Sequence, residues 1–196
     1  ELEDRGDFAG HTYEARVQRN PDRIRVQLTR TAMAFDLPLT ITKGIALTAG
    51  SEVVEIAYML EGLPQNRDLH FAVELNLAGL PPQADDRYFF RGDQRLGHLG
   101  TVLDLEKGSS IGLADEWMGM RVNLEANRPT PFWTFPVETV SQSEGGFEAV
   151  HQSVVVMPHW RVRGDEQGRW TTTMNLVVDT SQAEARSLDS AEAVVS

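Results

Sequence analysis

Apolar and polar residues alternate with a period of two along almost the whole chain: Ile24, Val26 and Leu28; Val54, Ile56, Tyr58 and Leu60; Leu69, Phe71, Val73, Leu75 and Leu77; Met118, Met120, Val122 and Leu124. Such alternation turns one row of side chains toward a core and the other toward water, so each run reads as a half-buried β-strand. Turn signals separate the runs, among them Asn20-Pro21-Asp22, Ala49-Gly50-Ser51, Glu61-Gly62-Leu63-Pro64 and Gly164-Asp165. Their spacing favours antiparallel strands over βα units, and no stretch carries convincing helical periodicity. About a dozen strands can be counted in this way. That is more than a small barrel or an immunoglobulin-type sandwich needs, so the expected fold is all-β, a large antiparallel β-sandwich of two sheets.

Two segments depart from the pattern. Leu80 to Leu99 (LPPQADDRYFFRGDQRLGHL) holds two prolines, several charges and little alternation; it is expected to be a long loop over the sheet edge, bordering a groove. From Thr180 onward the chain is rich in Ser, Ala and acidic residues. The expected organisation is therefore one β-sandwich domain over 1–179, closed by a final strand from Arg169 to Val178, and a weakly ordered acidic tail over 180–196.

The richest stretch is Phe132 to Trp160, FWTFPVETVSQSEGGFEAVHQSVVVMPHW. It predicts two strands, Phe132 to Val140 and Phe147 to Met157, joined around Ser143-Glu144-Gly145-Gly146, where glycine supplies the positive φ of a tight turn. Along the second strand, uninterrupted alternation puts Glu148, Val150, Gln152, Val154 and Val156 on one face and Phe147, Ala149, His151, Ser153 and Val155 on the other. Polar groups gather at the turn and aromatics at both far ends, the pattern of a ligand site or of a polar interface.

Composition narrows the function classes. At 196 residues the chain suffices for one domain with its own core. A formal charge of -11 repels polyanions, so nucleic acid is not an expected partner. No apolar run approaches the ~20 residues of a membrane span, and no membrane partner is expected. The absence of cysteine removes disulfide frameworks, thiolate metal sites and thiol nucleophiles. The opening ELEDRGDFAG has neither a basic start nor an apolar h-region, which suits a cytoplasmic protein. It also begins without Met, which suits a piece of a longer protein.

Candidate chemistry is sparse. Glu138, Glu144 and Glu148 are the residue types of a glycosidase acid and base, which must lie roughly 5 to 10 Å apart across a bond, yet acidic turns are usually solvated. Histidines 11, 70, 98, 151 and 159 form no metal-ligand spacing. Asp85, Asp86 and Asp93 offer hard oxygens without the ordered spacing of a calcium loop, so no metal is expected. Phosphate-cradling loops, GxSxG elbows and dinucleotide fingerprints are missing, and no cofactor is expected. The four tryptophans could be stacking platforms for a sugar ring, yet core packing is the expectation for each of Trp117, Trp133, Trp160 and Trp170, with exposure and binding nearly matching it for Trp117 beside Asp115-Glu116.

The segment PVETVSQSEGGFEAVHQS, with the aromatics before it and Pro158-His159-Trp160 after it, resembles the C-terminal domain of glycoside hydrolase family 57 α-amylases and 4-α-glucanotransferases. The resemblance extends more loosely over about residues 5 to 178, through Gly6-Asp7-Phe8, Tyr13, Thr42-Lys43 and Glu74-Leu75-Asn76-Leu77. It implies a galactose-mutarotase-like supersandwich and a catalytic (β/α)-barrel placed N-terminal to it, so no catalytic residue is carried over to this chain. It also implies a surface for carbohydrate binding or domain docking made by Trp133, Glu138, Thr139, Ser141, Gln142, Glu144, Glu148, His151, Gln152 and Trp160. The implied partners are an α-glucan or oligosaccharide and the catalytic barrel. A domain that only braces a barrel or a dimer, and a stand-alone sugar-acting enzyme on a mutarotase-like fold, are the alternatives.

Overall fold

A computed structural model describes residues 5–78, 80–143 and 146–187. Twelve strands run through it: β1 (Glu14–Arg19), β2 (Arg23–Ala34), β3 (Leu37–Thr48), β4 (Val53–Glu61), β5 (Leu69–Ala72), β6 (Leu75–Ala78), β7 (Arg87–Arg91), β8 (Gln94–His98), β9 (Leu103–Asp115), β10 (Met120–Ser143), β11 (Gly146–Val162) and β12 (Arg169–Asp179). The chain divides into two compact units, one from Glu1–Phe71 with Arg161–Leu176 and one from Ala72–Trp160 with Val177–Ser196. Glu144 falls outside the described residues, as does the last part of the expected acidic tail. No helix among the described residues is long and apolar enough to cross a membrane.

In the first unit β1 to β4 form an antiparallel meander. Its registers place Val17, Val26, Ile45 and Ile56 side by side in one row. Exposure along this row falls from 53% at Val17 to 8% at Ile56, so the core lies toward β4 and the edge strand β1 stays wet. Glu14, Arg16 and Arg19 keep that edge charged, which guards it against pairing with another chain. Tyr58 on β4 is buried and meets Phe71 edge to face at 5.6 Å; Phe71 meets Trp170 in the same way at 5.9 Å. The turn between β2 and β3 is unusual, because Phe35 and Asp36 both hold positive φ, 51° and 62°. Two-residue hairpin turns of this kind normally call for Asn-Gly or Asp-Gly, which is why nothing in the sequence announces it. The Arg67 guanidinium lies over the Phe35 ring at 5.7 Å.

In the second unit β6, β11, β10, β9, β7 and β8 pair in that order. The segment expected to be a long loop instead carries the β7–β8 hairpin, and its Phe89 and Phe90 are 0% and 9% exposed. The apolar pair lies inside a charged stretch, and that local context hid the strand. Asp86 is engaged with Arg87 at 2.9 Å. Arg87 also meets the buried Asp115 at 2.8 Å, and the other oxygen of Asp115 accepts the Met118 N–H that closes the β9–β10 turn. Beyond β12, residues 181–187 form a short helix, α1, where the sequence carried no helical signal. Asp179, just before the Thr180 cap whose carbonyl accepts the Glu184 N–H, accepts the Ser181 N–H in an Asx-turn at the helix start. Arg186 of α1 donates to the carbonyls of Glu116 and Trp117.

β10 is 24 residues long and is bent by register shifts around Pro129 and Pro131. Proline has no N–H for the ladder, so a bulge accommodates it. Phe132 follows at 0% exposure, and Val154, Val155 and Val156 of β11 are all within 1% of full burial, so both faces of β11 are covered there. Buried hydroxyls are satisfied: Thr134 donates to the Thr101 carbonyl, and Thr130 donates to the Arg128 carbonyl while accepting the Trp160 indole N–H.

Two outcomes follow. Phe132→Ala empties a fully buried aromatic site and should cost about 3 to 5 kcal/mol, read as a lower urea midpoint at unchanged slope. Burial first, and Tyr13 second, push the Tyr58 phenol up to about 12. Below pH 10 both folded and unfolded forms keep the proton, so nothing is lost. Between pH 10 and 12 only the unfolded form ionises, and stability should fall by roughly 2 to 3 kcal/mol. Tyr58→Phe should flatten that alkaline loss in melts followed across the same range.

Candidate functional site

The hairpin expected from the sequence is the end of β10 and the start of β11. Ser143 pairs with Gly146, whose φ of 124° is a conformation suited to glycine. Both strands outrun the expected ones, from Met120 and as far as Val162. Every described side chain of 138–142 and 146–150 is exposed, so the tip is a ribbon with both faces in solvent.

The ladder is not continuous. Val137 pairs with Ser153, but Glu138 pairs with His151, so Gln152 is an extra residue. This β-bulge reverses the alternation of β11 and corrects the faces expected for it. One ribbon face carries Thr139, Ser141, Glu148 and Val150, in line with Val137, Ser153 and Val155; the other carries Glu138, Val140, Gln142, Phe147, Ala149 and His151. The Gln152 amide donates to Thr139 Oγ1 at 3.1 Å and to the Val150 carbonyl at 3.3 Å, which fixes the bulged side chain on the first face.

Glu138 and Glu148 therefore project from opposite faces and cannot flank one bond as acid and base. Near them, His151 has both ring nitrogens sealed from solvent and without a hydrogen-bond partner. Ser153 donates to Asn76 Oδ1 at 3.0 Å, and Asn76 donates to Glu74 at 2.7 Å. This string of polar groups runs from β11 onto the neighbouring β6. Among the described residues no three His, Asp or Glu side chains gather as metal ligands.

The tryptophans divide differently from expectation. Trp133 is half-buried rather than in the core, with its indole N–H donated to Asp104 at 3.0 Å and its ring stacked on His159 at 3.7 Å. It shares a face of β10 with Thr139 and Ser141, about 20 Å along the strand from Thr139 at the usual rise per residue. Trp160 is 6% exposed and bonded to Thr130, which removes it from any surface. Trp117 is 73% exposed, with the Arg87 guanidinium 5.7 Å from its ring centre. The ten residues expected at one surface thus separate into two ribbon faces, Trp133 stacked on His159 farther along, the core residue Trp160, and Glu144 beyond the described part. His159, Asp104 and Asn76 were missed, because each joins the group only through cross-strand pairing.

The comparisons agree with the fold. A family model described as Alpha-amylase/4-alpha-glucanotransferase, C-terminal, matches residues 1–174. The chain is similar to Alpha-amylase 1 of Dictyoglomus thermophilum, 29% identical over 171 residues that make up 85% of this chain and 23% of that protein. It superimposes on a 4-alpha-glucanotransferase from Thermococcus litoralis with TM-score 0.61 at 20% identity, covering 88% of this chain and 23% of that one. A putative aldose 1-epimerase from Klebsiella pneumoniae superimposes with TM-score 0.58 at 11% identity, covering 92% and 58%. These likenesses give the fold as the all-β, galactose-mutarotase-like supersandwich. The chain thus spans about a quarter of the length of the amylase and the glucanotransferase. On its strand pairing and on a match that runs through residue 174, the chain belongs to the family of C-terminal domains of α-amylases and 4-α-glucanotransferases.

Proposed function

We propose that this chain is a non-catalytic accessory domain of an enzyme acting on α-glucans, and that the β10–β11 ribbon serves that enzyme's carbohydrate groove. The observation that carries the reading is the ribbon face bearing Thr139, Ser141, Glu148 and Gln152, solvent-exposed and built from short hydroxyl, amide and carboxylate groups. Sugars need many directed hydrogen bonds, and these groups offer donors and acceptors in a row. The two described ribbon carboxylates lie on opposite faces, so the accessory reading is preferred to a stand-alone glycosidase with a Glu138–Glu148 acid-base pair.

The opposite face favours a second role. Val140 and Phe147 are 74% and 78% exposed and sit near each other across the ladder, an arrangement suited to covering by protein. In this reading the face bearing Val140 and Phe147, with Glu138 and Gln142 beside them, docks on a catalytic barrel, and the face bearing Thr139, Ser141, Glu148 and Gln152 is presented to the glucan.

The test uses an α-glucan-acting enzyme carrying this chain as its C-terminal domain. Glu148→Ala with Gln152→Ala should raise KM for maltoheptaose about 3- to 10-fold with kcat nearly unchanged, the effect of losing one or two neutral or charge-assisted bonds. Val140→Asp with Phe147→Asp should loosen the two domains, read as separate melting transitions. Wild-type kinetics and a single transition in both variants would overturn the proposal.

A further inference from the structure

The first unit has a groove whose lining includes none of the ribbon residues. It is an open cavity of about 560 Å³ lined by Met59 of β4, by Arg163, Gly164 and Asp165 of the β11–β12 turn, and by Arg169 and Trp170 of β12. Its volume lies in the range of small-molecule sites.

The turn that forms its rim is fixed from several sides. Asp165 Oδ1 accepts the N–H groups of Gln167 and Arg169 at 2.9 and 2.8 Å, while the Gln65 amide donates to its carbonyl at 3.1 Å. The Arg169 N–H bond is the main reason why the Asp165 carboxyl is held below the usual carboxylate range. Gly164 packs where a side chain has no room, since a Cβ there would lie 2.5 Å from the Leu63 carbonyl oxygen. Leu63 and Gly168 add a backbone bond of 2.9 Å. Trp170 is held by its edge-to-face contact with Phe71, which in turn rests on Tyr58. Arg163 is oriented by its Nε bond to Asp68 Oδ1 at 2.8 Å, which leaves its two terminal nitrogens as donors. A rim of this kind loses little conformational entropy when a ligand binds.

The charges identify the ligand class. Arg163 and Arg169 share the lining with Asp165, and Asp68, bonded to Arg163 from outside the lining, balances the remaining charge, so the groove has donors and acceptors of both signs. An anion would meet the Asp165 carboxylate, whereas a neutral polyhydroxyl chain can use the donors and the acceptor together, with Trp170 and Met59 as the apolar surface for a sugar ring. We infer that this groove is an α-glucan-binding site separate from the ribbon, with Trp170 as its stacking platform and Arg163, Arg169 and Asp165 as hydrogen-bonding partners. The inference rests on the α-glucan reading above and adds a second point of contact to it.

Titration of the 196-residue chain with maltoheptaose, followed by amide NMR shifts, tests it. Shifts should appear over 163–171, and Trp170→Ala should weaken the affinity read there about tenfold or more. Trp170 also packs on Phe71, so the exposed Arg169→Ala is the second variant; it should weaken binding about 3- to 5-fold with an unchanged melting temperature. Shifts confined to 138–152, with wild-type affinity in folded Arg169→Ala, would overturn this site and leave the ribbon reading standing. No shift anywhere would overturn this site, while the ribbon reading is decided by the KM measurement in the larger enzyme. Inorganic phosphate binding more tightly than maltoheptaose at 163–171 would overturn the assignment to a neutral sugar.

Discussion

The pairing of β10 with β11 is the constraint on which the second unit depends. At its inner end the ladder buries Phe132 and the run Val154 to Val156; at its outer end the same ladder continues past the core as a ribbon with both faces in water. The buried part fixes the register, because a slip by one residue would turn the fully buried Phe132 to the half-exposed face of β10. The ribbon inherits that register without contributing to the core. Its side chains are thus presented in fixed order by a foundation some distance away, which is how an exposed strand pair can hold a precise row of polar groups.

The bulge at Gln152 gives this foundation its functional consequence. Without the extra residue, Glu148 and Gln152 would lie on the same face as the buried Val154 and Val156, and the outer ribbon would continue the inner pattern unchanged. With it, alternation restarts: Thr139, Ser141, Glu148 and Gln152 share one face with Val150, while Val140 and Phe147 share the other with Glu138, Gln142 and His151. One ribbon can then meet two kinds of neighbour. The groove beside Trp170 is built on a different principle, a short turn stapled by the Asp165 carboxylate and by the backbone of Leu63, and it needs no bulge.

Much of the strand content was legible from the alternation of Ile24 to Leu28, Val54 to Leu60 and Met120 to Leu124, because burial of one face imposes a period of two on any half-buried strand. The turn at Gly146 was legible for a similar reason, since few residues other than glycine adopt its φ. The β7–β8 hairpin was not legible, as Phe89 and Phe90 are both buried in succession within a charged stretch and leave no period to detect. The Phe35-Asp36 turn was hidden because it uses residues that normally avoid that conformation. Helix α1 is held by Arg186 on the carbonyls of Glu116 and Trp117, contacts some seventy positions away in the chain.

By itself the sequence determined that this is an all-β chain, where most of its strands run, and that the segment from Phe132 to Trp160 is its most distinctive part. Those properties are local, set by side-chain periodicity and by what glycine and proline permit. Only the tertiary structure decided that Trp160 is core while Trp133 stacks on His159 at the surface, that Glu138 and Glu148 point apart, and that Trp170 stands beside Arg163 and Arg169 in a groove. Each of these depends on which residues face one another across strands. Cross-strand register is fixed by the packing of the whole core, and no short stretch of sequence contains it.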